Sequence, residues 1–119
     1  MSYRTALEAA GAKVLAFETF GSYQGDWAAL VEYKGERGWV QGAFGSCSHC
    51  DAFDAEFGDP SLDGDEYDAR LKSFGESYLG GLLSTEKVHK HFEDYAEYDM
   101  ESEIAAEWVL HTAKKFGVV

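Results

Sequence analysis

Trp27-Ala28-Ala29-Leu30-Val31-Glu32-Tyr33-Lys34-Gly35-Glu36-Arg37-Gly38-Trp39-Val40-Gln41-Gly42-Ala43-Phe44 is the stretch that decides the fold. Trp27, Ala29, Val31 and Tyr33 fall on alternate positions, so a strand puts all four on one face. Gly38 to Phe44 reads as a second strand. Between them, Lys34-Gly35-Glu36-Arg37 is rich in turn formers and short enough to join antiparallel neighbours. Upstream, Lys13 to Phe20 is a further β-rich run, and Gly21-Ser22-Tyr23-Gln24-Gly25-Asp26 supplies its turn. Three strands in succession predict an antiparallel meander.

Helices are expected on either side of it. Ser2 or Thr5 can open a short helix through Leu7, Ala9 and Ala10, which Gly11 would stop. After the third strand, Ser48 to Phe57 reads as a helix with Ser48 as N-cap and Asp51 at the capping-box position, followed by a loop over Gly58 to Gly64. Tyr67, Leu71, Phe74, Tyr78 and Leu82 recur at helical spacing and predict an amphipathic helix from Asp65 to about Leu83, despite Gly75 and Gly80-Gly81. Thr85 is the expected cap of a helix carrying Val88, Phe92 and Tyr95. Asp99 is that of a last one aligning Ile104, Trp108, Thr112 and Phe116, whether as two helices or one bent one. The expected fold class is α+β, a three-stranded antiparallel meander packed against four or five helices. It forms one domain over residues 1–119, with an N-terminal helix and meander over 1–47 and an acidic helical part over 48–119.

Composition supports a folded chain. Of 119 residues, 45% are apolar and 15% aromatic, too many for an acidic disordered segment. The start of the chain lacks the apolar core of a secretion signal, and no run approaches the ~20 apolar residues of a membrane span. A bacterial cytoplasmic location is expected, in which Cys47 and Cys50 are thiols or metal ligands rather than a disulfide.

The net charge of −12 is unevenly placed: residues 48–104 hold 16 acidic and 4 basic side chains, and the rest hold 6 of each. Direct DNA binding is therefore disfavoured, because phosphates would be repelled. Asp63, Asp65, Glu66 and Asp68, followed by Glu93, Asp94, Glu97, Asp99, Glu101 and Glu103, could display carboxylates as a duplex displays phosphates. Such a face would attract the basic groove of a nucleic-acid-processing protein. A solvated, solubility-promoting surface is the alternative for the same residues.

Cys47-Ser48-His49-Cys50 is the compact chemical constellation of the chain. Zinc takes about four ligands; Cys47 and Cys50 give two, and His89 is the tentative third. His89 and His91 lie two apart on a helix and point in different directions, so one ligand is expected from that pair. A redox pair at a helix N-terminus and cysteines packed beneath a turn are the other readings. Asp59-Pro60-Ser61-Leu62-Asp63-Gly64-Asp65 resembles the opening of a calcium loop, but its twelfth position is Arg70 rather than glutamate. There is no GxSxG, Walker A loop or HExxH in the sequence, and a non-enzymatic protein is expected.

Gly21-Ser22-Tyr23-Gln24-Gly25-Asp26-Trp27, Gly38-Trp39-Val40-Gln41-Gly42 and Gly45-Ser46-Cys47-Ser48-His49-Cys50-Asp51-Ala52-Phe53 resemble small uncharacterised acidic proteins of bacteriophages and mobile elements. The similarity is strongest over residues 18–58, and His49 departs from the small residue expected in the middle of the motif. What the resemblance implies is a counter-defence inhibitor of the anti-CRISPR or antirestriction kind, acting on a host or defence protein. It brings no catalytic residues with it. Trp27 through Val40 also looks like the central hairpin of bacterial SH3-like domains, although too few strands follow to complete that barrel.

Overall fold

Strands β1 (Lys13–Gly21), β2 (Gly25–Tyr33) and β3 (Glu36–Phe44) form an antiparallel sheet in the order β1-β2-β3. The computed structural model describes residues 2–21, 24–45, 64–97 and 99–118. Among them are four helices: α1 (Ser2–Ala9), α2 (Gly64–Leu79), α3 (Thr85–Ala96) and α4 (Met100–Phe116). The fold is α+β. The expected helix over Ser48 to Phe57 and most of the loop after it lie outside the described residues, as do Cys47, His49, Cys50 and Asp63.

The β2–β3 turn is tighter than the four residues read from the sequence. Tyr33 pairs with Glu36 across it, and Lys34 and Gly35 both have positive φ, 51° and 80°. Two such residues make the turn whose twist matches the strands it joins. Glu36 and Arg37 therefore belong to β3, where Arg37 meets its cross-strand partner Glu32 at 3.6 Å.

Every residue of β2 from Trp27 to Val31 is buried, because helices cover both faces of the sheet. On one face, Trp27, Ala29, Val31 and Val40 pack with Tyr3, Leu7, Leu71 and Leu79 from α1 and α2. Trp27 is stacked between Tyr3 and Phe17, at ring separations of 5.1 and 5.6 Å, with Tyr78 edge-on at 5.2 Å. Its cross-strand partner is Gly42, where a Cβ would stand 2.7 Å from the indole nitrogen, so the glycine makes room for the ring. Gly75 plays the corresponding part between helices: a Cβ there would fall on the Ala6 carbonyl oxygen. That close approach explains a glycine in the interior of α2, where it costs about 1 kcal/mol relative to alanine.

On the other face, Ala28, Leu30 and Trp39 pack with Val88 and Phe92 of α3 and with Ala105, Ala106, Val109 and Ala113 of α4. The small residues of α4 bring it close to its neighbours, whereas Ile104, expected on its apolar stripe, is exposed. Tyr95, expected among the buried residues of α3, is exposed as well.

Helix ends differ from expectation by small, explicable amounts. α2 stops at Leu79 rather than Leu83, at the Gly80-Gly81 pair. Leu83 then leaves the helical path and exchanges two backbone hydrogen bonds of 2.8 Å with Trp39. Ser84, not Thr85, caps α3, its hydroxyl accepting from the Lys87 amide at 3.2 Å. Asp99 caps α4 as expected, and the break there makes α3 and α4 two helices. Gly117, at φ 70°, closes α4 in the left-handed conformation. Because α2 begins at Gly64, the rest of the calcium-loop pattern is helical, and Arg70 meets Glu66 at 3.0 Å.

Candidate functional site

The corner where α3 turns into α4 concentrates the unusual surface of the molecule. Residues 93–104 hold six carboxylates, Glu93, Asp94, Glu97, Asp99, Glu101 and Glu103, and no lysine or arginine. All six are exposed. The large hydrophobic residues exposed among those described are Tyr95 (57%), Met100 (75%) and Ile104 (47%), and all three lie within the same twelve positions. Carboxylates at the start of α4 suit the positive end of its dipole. At the end of α3 they do not: its last turn has no basic residue to oppose the partial negative charge, and Glu93, Asp94 and Glu97 add to it.

Asp99 holds the corner in shape. Its backbone N–H donates to the Tyr95 carbonyl at 3.0 Å; its carboxylate accepts from the Glu101 amide at 3.0 Å and from the Ser102 hydroxyl at 3.2 Å. Ser102 is buried, and its hydroxyl is part of this cap.

Beside the corner is a cleft built where the start of β2 and the end of β3 meet α3. Asp26, Gln41, Gly42, Ala43, His91 and Phe92 line a hollow of about 250 Å³. It adjoins a second of about 310 Å³, shared by Asp26 and His91 with Tyr95, Asp99 and Ser102. Burial pushes the Asp26 carboxyl above its ordinary value of 3.8; the neighbouring His91 pulls it down and Asp99 pushes it further up. The Gln41 side-chain oxygen is buried and has no hydrogen-bond partner among the described residues. The His91 ring lies against Phe92 at 5.2 Å and Tyr95 at 5.4 Å.

The acidic residues singled out from the sequence do not share one layer. Asp65, Glu66 and Asp68 are exposed on the first turns of α2, over one face of the sheet, while Glu93 through Glu103 sit on helices over the other. Some are already engaged: Glu93 lies 3.6 Å from His89, and Asp94 lies 3.4 Å from Lys90. His89, the tentative zinc ligand, is thus paired along its own helix. Among the described residues no group of three or more His, Cys, Asp or Glu side chains is arranged to hold a metal ion, and no helix is long and apolar enough to cross a membrane.

The cleft was missed in the sequence because its members are far apart there. Asp26 stands in a predicted turn and Gln41 in a strand, while His91 was weighed only as a neighbour of His89. The readable signal is Asp26 immediately before Trp27, a carboxylate next to the first apolar residue of an alternating strand. No protein-family model, curated protein or solved structure matches this chain significantly.

Proposed function

We propose that the chain is a non-enzymatic binding protein whose α3–α4 corner engages a basic surface of a nucleic-acid-processing or defence protein and blocks it. The observation that carries this reading is the coincidence, within residues 93–104, of six carboxylates, of which Asp94 meets Lys90 from the preceding turn, with no lysine or arginine of the segment's own and three exposed large hydrophobic side chains. A merely solvated acidic surface has no need of exposed Tyr95, Met100 and Ile104. Interfaces combine such apolar contacts with a charged surround that steers the partner in. The unfavourable charges at the end of α3 support the same reading, since local rules are commonly broken where function requires it. Resemblance to phage and mobile-element proteins is the reason for proposing inhibition of a host or defence protein. The binding surface is narrower than the ten residues read from the sequence, with Asp65, Glu66 and Asp68 left outside it.

Affinity capture from bacterial lysate tests the proposal by comparing the chain with its Glu97→Lys/Glu101→Lys/Glu103→Lys variant. The native surface is expected to retain a basic nucleic-acid-processing protein at about 0.05 M salt and to lose most of it by about 0.3 M, where charges are screened beyond several ångströms. The variant is expected to retain none, and the captured protein's activity on nucleic acid should fall when the chain is added. Equal capture by both chains, or binding without inhibition, would refute it.

A further inference from the structure

The cleft beside the corner has the chemistry of a receptor for a cationic side chain. This inference rests on the acidic-corner reading and adds the means by which the partner is anchored. We infer that the cleft formed by Asp26, Gln41, His91, Tyr95 and Asp99 receives the guanidinium of an arginine from the partner protein. Asp26 lines both hollows and Asp99 the second, where its carboxylate also accepts from the Glu101 amide and the Ser102 hydroxyl, and among the described residues no lysine or arginine lines either hollow. Asp26 is half-buried, so its charge is poorly solvated in the free protein and is matched best by a cation entering the cleft. Gln41 adds a buried acceptor oxygen with no partner among the described residues, and an arriving N–H would satisfy it.

Several acceptors spread around one hollow suit arginine better than lysine. A guanidinium presents five N–H donors in a plane, whereas an ammonium is a compact point charge. The rings of His91 and Tyr95, 5.4 Å apart and inclined at 59° to each other, add aromatic surface of the kind on which a guanidinium stacks. A metal ion is the poorer occupant, because Asp26, His91 and Asp99 do not form a metal-holding group. Volumes of about 250 and 310 Å³ lie at the low end for ligand cavities and accommodate a side chain more readily than a large cofactor.

Fluorescently labelled octa-arginine and octa-lysine peptides, titrated with the folded full chain, provide the test. The arginine peptide is expected to bind about threefold or more tighter. Asp26→Asn should weaken it about tenfold, the scale of one charge-assisted hydrogen bond, while changing the lysine peptide less than about twofold. Gln41→Met, which removes the acceptor and keeps the volume, should weaken the arginine peptide a few-fold. It serves as the readout if Asp26→Asn melts early. Backbone amide shifts on adding the arginine peptide should include residues 26, 41 and 91. Glu97→Lys/Glu101→Lys should weaken both peptides alike. Equal affinities for the two peptides, together with indifference to Asp26→Asn and Gln41→Met, would overturn the cleft assignment while a corner effect left the wider reading standing. Amide shifts confined to residues 97–104 would count the same way. Binding of neither peptide would overturn both.

Discussion

The two ends of the α3–α4 hairpin are built on opposite terms. At the end where α3 begins and α4 finishes, side chains and backbone are tied together by a chain of hydrogen bonds. The Trp39 indole N–H donates to the Thr85 hydroxyl at 2.9 Å, that hydroxyl donates to the Val118 carbonyl at 2.6 Å, and Arg37 donates to the Phe116 carbonyl at 3.1 Å. Leu83 adds the pair of backbone bonds to Trp39. At the other end, Asp26 is half-buried beside His91, the Gln41 side-chain oxygen has no hydrogen-bond partner among the described residues, and the exposed apolar side chains sit among carboxylates. The closed end locks the hairpin onto the sheet, which allows the open end to carry groups that a folded protein alone would not choose.

The largest stability losses are expected at the closed end. Trp39→Ala removes a fully buried ring and should cost about 3–5 kcal/mol in urea unfolding; a loss under about 1 kcal/mol would show that the closed end does not lock the hairpin. Thr85→Val strands the Trp39 N–H and the Val118 carbonyl and is expected to cost about 1–3 kcal/mol. Following it with Trp39→Phe should cost less than in the native background, because the indole donor is then already unpaired.

Open-end substitutions should move stability the other way or hardly at all. A folded-state pKa raised above 3.8 means that folding favours the protonated Asp26, so the group lowers stability as pH climbs from its ordinary value through the raised one. Asp26→Asn is therefore expected to melt higher than the native chain at neutral pH, with the two converging as pH falls toward 3.8; a lower melting temperature at neutral pH would contradict that account. The smallest effects belong to the corner. Glu97→Lys replaces a charge that opposes the dipole of α3 and should gain about 0.3–1 kcal/mol, whereas Glu101→Lys, in the first turn of α4, should lose a similar amount. Opposite signs in thermal melts, with weakened partner binding in both, would separate the function of these residues from their part in folding.

The meander was legible because its signal is local. Alternation from Trp27 to Tyr33 and the turn residues Lys34 and Gly35 both act within a few positions. Caps were legible to within one residue for the same reason: Asp99 as expected, and Ser84 one before the expected Thr85. Thr85 was displaced from that role by a contact 46 positions away, since its hydroxyl serves the Trp39 ring. Ile104 and Tyr95 were misplaced because helical spacing identifies an apolar stripe without saying whether a neighbour covers all of it. Around α4 the buried residues are Ser102, Ala105, Ala106, Val109, Thr112 and Ala113, with Trp108 and Phe116 of the expected stripe packed against that core and Ile104 left outside it. The acidic surface was visible from composition, but its division between helices on opposite faces of the sheet was not.

Short-range chemistry in the sequence thus determined the order of strands and helices, most of their ends and the excess of negative charge. Tertiary structure decided which carboxylates share a surface and brought Asp26, Gln41, His91 and Asp99 together from four separate elements or turns. The physical reason is one of range. A turn or a cap is settled by a few neighbouring residues, whereas a cleft exists only once strands and helices distant in the chain have packed against one another.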